Sequence, residues 1–162
     1  MPRSSKLDLT NAIGFVVNRT AYMLRQALRD GFTQHGLPLT PEELAILAHL
    51  WQRDGQTQGD LAGCSIRDRT TVTRILDRLS EKGLTRREPG VQDRRRVRTW
   101  LTPEGKRLER VVLPLAATRL RKVTQGISDA DMRTTLESLR KVQANLIAIK
   151  QAEGGQNAKT RK

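Results

Sequence analysis

Five times along its length the sequence repeats one local instruction: a short side chain able to cap a helix, followed by a helix-forming run. Thr40, Thr57, Asp68, Thr102 and Ser128 hold these places. Each offers an oxygen to the unpaired N–H groups at a helix start. Proline follows the cap directly at Pro41 and Pro103, where its missing N–H is no loss. Glu43 and Asp60 stand three residues after their threonines, the spacing at which cap and side chain satisfy one another reciprocally. Punctuation this dense predicts a mainly helical chain of consecutive, separately capped helices.

Apolar spacing fills in the segments. Leu9, Ile13, Val16, Val17, Ala21, Leu24, Leu28 and Phe32 recur in steps of three and four, which predicts a long first helix over residues 9–36 that stops at His35-Gly36. The helix after Thr40 carries Leu44, Ile46, Leu47, Leu50 and Trp51. A short helix with Leu61 and Ala62 follows, and then a third with Val72, Ile75, Leu76 and Leu79, closed by Lys82-Gly83. Residues 84–88 and 97–101 read as two short strands around the turn cluster Pro89-Gly90-Val91-Gln92-Asp93. The helix after Thr102 contains Pro114, which is expected to kink it. The last helix repeats Met132, Leu136, Leu139, Val142, Leu146 and Ile149, close to a heptad. Residues 151–162 are polar and aperiodic and are expected to form a disordered tail.

The predicted fold is therefore mainly α with a small β-hairpin. Residues 40–101 have the order of a winged helix-turn-helix, flanked by helices at 9–36 and 102–150. The apolar stripes of these flanking helices are too long for the winged domain to cover, which predicts a homodimer built from them.

Charge narrows the partner. Thirty Lys and Arg against seventeen Asp and Glu give +13, which points to a polyanion. Eleven basic residues against five acids lie between Arg67 and Arg98. On the third capped helix the apolar side leaves Thr70, Thr73, Arg74, Asp77 and Arg78 facing away from the core. Small hydroxyls beside arginine suit a major groove, where Arg can grip guanine O6 and N7 and Thr can meet a base edge or a thymine methyl. A solvated face is the plainer reading of those charges alone. Arg94, Arg95 and Arg96 at the hairpin tip favour the nucleic-acid reading, since clustered guanidinium groups suit a narrow, negative minor groove. Asp93 beside them can hold one arginine by a charged hydrogen bond.

These residues carry a family resemblance. Gln58-Gly59-Asp60-Leu61-Ala62, Thr71-Val72-Thr73-Arg74-Ile75-Leu76-Asp77-Arg78-Leu79 and Lys82-Gly83-Leu84 resemble the multiple-antibiotic-resistance regulator (MarR) family, as do Asp93-Arg94-Arg95 and Leu101-Thr102-Pro103-Glu104-Gly105. The resemblance implies a homodimeric transcription factor on a pseudo-palindromic operator. Such a protein commonly represses a nearby gene until a small ligand or an oxidant lowers its DNA affinity. Carried over by position, Thr70, Thr71, Thr73 and Arg74 would face the major groove, and Arg69 and Arg78 are further DNA-binding candidates on the same helix. Arg95, with Arg94 and Arg96, would face the minor groove, and Asp93 would orient Arg95. Tyr22, Arg25, His49 and Trp51 are suited to hold an aromatic carboxylate or phenolic effector, or Trp51 and Tyr22 simply fill the core.

Other classes find little support. The longest stretch without a charge, residues 31–41, is far short of the ~20 apolar residues that span a bilayer, so no membrane partner and a cytoplasmic location are expected. The single Cys64 excludes an internal disulfide, and with His35 and His49 far away it makes no ordinary zinc site; no metal or other cofactor is expected. No nucleophile elbow, phosphate loop, dinucleotide glycine pattern or metalloprotease helix occurs, so no catalysis is expected. Two alternatives stay open: a basic architectural protein that coats nucleic acid without reading it, and a repressor that senses oxidants through Cys64.

Overall fold

The computed structural model describes residues 10–65, 68–89 and 97–159. Among these described residues six helices and three strands follow one another: α1 (Ile13–Gln34), α2 (Pro41–Gln52), β1 (Gln56–Thr57), α3 (Gln58–Ser65), α4 (Arg69–Glu81), β2 (Thr85–Pro89), β3 (Val97–Leu101), α5 (Pro103–Val123) and α6 (Asp129–Lys159). The chain divides into two units at Arg121–Lys122. Among the described residues no helix is long and apolar enough to cross a membrane.

The caps explain the boundaries. Thr40 Oγ1 accepts from the Glu43 N–H at 3.2 Å, while Glu43 Oε2 accepts from the Thr40 N–H at 2.8 Å, closing the expected box. Thr57 and Asp60 repeat it for α3, and Ser128 Oγ accepts from the Asp131 N–H at the head of α6. At the other ends α1 and α4 finish alike. Gly36 and Gly83 take the left-handed conformation, with φ of 64° and 68°. The following leucine N–H then reaches back to the helix, Leu37 to Phe32 O and Leu84 to Leu79 O, both at 2.9 Å. This reach-back takes up the Leu84 N–H, so β2 starts at Thr85, one residue later than its pattern suggested.

The core lies under the helix-turn-helix. Ile46, Leu47 and Leu50 of α2, Leu61 of α3, and Val72, Ile75, Leu76 and Leu79 of α4 are fully buried, joined by Phe32 from α1 and Val112 from α5. β3 sits at the centre of an antiparallel sheet ordered β1-β3-β2, with Thr85 opposite Leu101 and Pro89 opposite Val97. The strand β1, absent from the sequence reading, is two polar residues long and pairs with β3 through Gln56 and Thr99. It is held from outside itself. Asp54 Oδ1 accepts from the Leu101 N–H at 2.8 Å, and the buried Gln56 amide donates to the His49 and Arg53 carbonyls at the end of α2.

Two other expectations change. α1 begins at Ile13 rather than Leu9, with Ala12 at the cap and no side chain bonded there. α6 continues to Lys159, so the tail expected from Gln151 is helical over most of its length. Gln151, Ala152 and Glu153 are good helix formers, and each following glycine costs only about 1 kcal/mol in a helix interior, far less than a proline. α5 runs on through Pro114 as one helix.

The Leu-Thr-Pro-Glu-Gly stretch now has a physical account. Thr102 Oγ1 accepts from the Gly105 N–H at 3.0 Å and donates to the Gly83 carbonyl at 2.7 Å, tying the start of α5 to the end of α4. Gly105 lies so close to the Leu84 carbonyl that a Cβ would collide with it. Gly105→Ala should therefore destabilise the fold by about 3 kcal/mol, since the opposing atom is backbone and cannot step aside. A urea midpoint unchanged from wild type would show that the contact is not tight.

Candidate nucleic-acid interface

Helix α4 presents the face expected of it, but its hydroxyls are not all free. Val72, Ile75, Leu76 and Leu79 bury one side, leaving Arg69, Thr70 and Arg74 exposed on the other. Asp68 caps the helix: Oδ1 accepts from the Thr71 N–H at 2.8 Å and Oδ2 from the Thr71 hydroxyl at 2.7 Å. Those two bonds, the hydroxyl's first, hold the Asp68 carboxyl below its ordinary range. Thr73 is half-buried, and its hydroxyl donates to the Arg69 carbonyl at 2.8 Å. Arg78 is exposed too, with Nε 3.7 Å from Glu43 Oε1.

Neighbouring elements hold this helix in place. Gln58, the first residue of α3, donates from its amide to the Arg69 carbonyl at 2.9 Å and also to the Thr73 hydroxyl. Arg87 on β2 pairs with Asp77 at 2.8 Å, and its other terminal nitrogen reaches the Thr73 carbonyl at 3.4 Å. The base of the wing is thereby fastened to α4, and Asp77, which shares the outward side of α4 with the exposed Glu81, is paired. At the far end Lys82 Nζ donates to both oxygens of the buried Glu43 carboxylate, at 2.8 and 2.7 Å. These anchoring roles of Gln58, Arg87 and Lys82 were not read from the sequence. Gln58 and Lys82 stand inside stretches that carry the family resemblance, but the partners of all three come from other elements and leave no local signal.

Asp93, Arg94, Arg95 and Arg96 lie outside the described residues, as does the side chain of Cys64. The four candidate effector residues fall in different surroundings. Tyr22 is exposed on α1, where its hydroxyl accepts from Gln26 at 3.0 Å, and Arg25 is half-buried one turn on. Trp51 packs against the core and donates its indole N–H to the Gly105 carbonyl at 2.9 Å. His49 lines an open cleft of about 490 Å³ with Arg53, Gln56 and Asp60, to which Tyr22, Arg25 and Trp51 do not contribute. His35 is a cap: its backbone N–H and its ring Nδ1 both turn back on the end of α1.

A helix-turn-helix core, an outward helix rich in arginine and threonine, and an antiparallel wing fastened beside it define a winged-helix DNA-binding protein. The comparisons agree. The MarR family model matches residues 39–97. The transcriptional regulator HosA of Escherichia coli O157:H7 is 31% identical over 101 residues, covering 60% of this chain and 75% of HosA. A MarR-family transcriptional regulator from Silicibacter pomeroyi is 30% identical with a TM-score of 0.67, covering 82% of this chain and 88% of that one. Bordetella bronchiseptica BpsR, whose DNA binding is regulated by 6-hydroxynicotinic acid, shares the fold at a TM-score of 0.76 and 21% identity, covering 83% and 95% of the two chains. The chain belongs to the MarR family of transcriptional regulators.

The Asp68 cap yields a pH test. A carboxyl whose folded value lies below its unfolded value stabilises the fold fully above the ordinary aspartate range, and that contribution is lost as pH falls through the folded value. Asp68→Ala should thus lower Tm at neutral pH, and the gap to wild type should close in acid. A gap that persists unchanged into acid would mean that the carboxylate charge plays no part in the cap.

Proposed function

We propose that the chain is a homodimeric repressor that holds a pseudo-palindromic operator until a small aromatic acid releases it. The observation carrying this reading is the outward face of α4, where Thr70 and Arg74 are exposed while Asp77 is taken up by Arg87. With Asp77 paired, that face offers hydroxyl and guanidinium groups to base edges and phosphates. In this reading Arg74 contacts guanine or an adjacent phosphate, and Arg69, Thr70, Thr71, Thr73 and Arg78 line the same major groove. Arg94, Arg95 and Arg96 approach the flanking minor groove, with Asp93 orienting Arg95.

Dimerisation is assigned to residues 9–36 and 102–150. Ile13 and Met23 on α1 are 57% and 59% exposed, and Leu146 and Ile149 on α6 are 60% and 54% exposed. Apolar side chains left so open on two helices support a second copy as their cover. BpsR, with its 6-hydroxynicotinic acid, supports an aromatic acid as the effector class, and Tyr22, Arg25, His49 and Trp51 remain its candidate contacts. Release requires that the acid bind the DNA-free form more tightly, since equal affinity for both forms shifts nothing. No membrane or catalytic step enters this reading, and the protein acts in the cytoplasm.

The test is a binding assay at matched salt on a duplex selected from random DNA and on its scrambled counterpart. Arg74→Ala should lose about 1–3 kcal/mol on the selected duplex and relax preference at one position. Asp93→Ala should weaken binding, although removing a negative charge would tighten it if the wing were only a diffuse basic patch. Benzoate-, hydroxycinnamate- or hydroxynicotinate-like acids should raise the Kd. Equal affinity for both duplexes would establish the architectural alternative, and release by an oxidant through Cys64 but by no acid would establish the redox one.

A further inference from the structure

We propose that Thr73 reads a thymine through its γ-methyl group, its hydroxyl being locked inside the protein. The inference rests on the reading of α4 as the base-reading helix and sharpens what one of its residues can recognise. A threonine hydroxyl has a single hydrogen to give. In Thr73 that hydrogen goes to the Arg69 carbonyl at 2.8 Å. The same oxygen accepts from the amide of Gln58, which also donates to the Arg69 carbonyl at 2.9 Å. Three polar groups therefore close on one another between the start of α3 and the first turns of α4. Turning the Thr73 side chain to free its hydroxyl would break both bonds. The backbone is held as well, because Arg87 Nη2 reaches the Thr73 carbonyl at 3.4 Å.

A hydroxyl without a free hydrogen cannot donate to guanine O6 or N7, adenine N7 or thymine O4, the acceptors that line the major groove. Thr73 as a residue is nonetheless only half-buried. The apolar part left to meet DNA is the γ-methyl. Among the four bases only thymine carries a methyl group in the major groove. Through that methyl, Thr73 makes contact with one chemical feature, the thymine 5-methyl.

Deoxyuridine, which lacks only that methyl, supplies the test without disturbing the protein. Each thymine of a duplex selected from random DNA by the full-length protein is replaced in turn, and Kd is measured at constant salt. At one thymine per half-site the wild type should lose about fourfold in affinity, the worth of one buried methyl group of about 0.8 kcal/mol. Thr73→Ser keeps the hydroxyl bonds and removes the methyl. It should bind the thymine duplex about fourfold more weakly than wild type and be indifferent to deoxyuridine at that position. Thr73→Val keeps a methyl and should retain the discrimination. Wild-type indifference to deoxyuridine at every position, or discrimination that survives in Thr73→Ser, would overturn the proposal. Arg74→Ala separates the two levels. If it relaxes sequence preference while the thymine results fail, only the role of Thr73 falls. If Arg74→Ala changes nothing and no preferred duplex emerges, α4 is not the reader and both readings fall.

Discussion

A carboxylate with no solvent exposure, Glu43, organises the DNA-binding half of this molecule. It closes the capping box at the head of α2 through the Thr40 N–H and receives two hydrogen bonds from Lys82 at the tail of α4. Lys82 donates a further bond to the Pro38 carbonyl at 2.5 Å, and Arg78 Nε stands 3.7 Å away from the acid. A buried carboxylate stripped of such partners is expensive, on the order of several kcal/mol. Arrangements of α2 and α4 that separate Glu43 from Lys82 are penalised to that extent. Apolar contact between Leu47, Leu50, Ile75 and Leu79 holds the two helices together without specifying the register between them. The ion pair supplies that register.

The rest of the interface follows from this fixed point. With its C-terminal end held by Glu43, α4 is held at its N-terminal end by Gln58 and along its flank by Arg87. Thr102 then ties the start of α5 back to Gly83, immediately after α4. A helix that must meet a groove in one orientation is thus held by polar contacts from α2, α3, β2 and α5. These contacts also use up functional groups. The hydroxyls of Thr71 and Thr73 are bonded within the protein, so in the proposed reading exposed Thr70 and Arg74 carry the polar contacts and Thr73 an apolar one.

How much of this was legible in the sequence depends on how far apart the partners lie. Caps and glycine terminators were legible because Thr40 and Glu43, Asp68 and Thr71, or Gly83 and Leu79 are separated by only a few residues. The element order and the outward face of α4 followed from such signals and from apolar spacing. Glu43 was legible as half of a capping box, but its second partner is 39 residues away and has no local signature. The same holds for Trp51, whose indole N–H finds Gly105 across 54 residues. β1 was missed because two polar residues have no pattern of their own; Gln56 and Asp54 hold them against β3. The continuation of α6 was missed because Gly154 and Gly155 resemble a stop, yet they lack the steric block of a proline.

The account stands on the Glu43–Lys82 pair fixing α4 in place, and a double-mutant cycle on stability tests it most directly. Lys82→Met leaves a buried carboxylate without its main partner and should cost about 3 kcal/mol. Adding Glu43→Gln removes the stranded charge and should recover at least about half of that loss, a coupling well beyond the error of the cycle. Losses that simply add, with coupling below about 0.5 kcal/mol, would reduce the pair to an incidental contact and contradict the account.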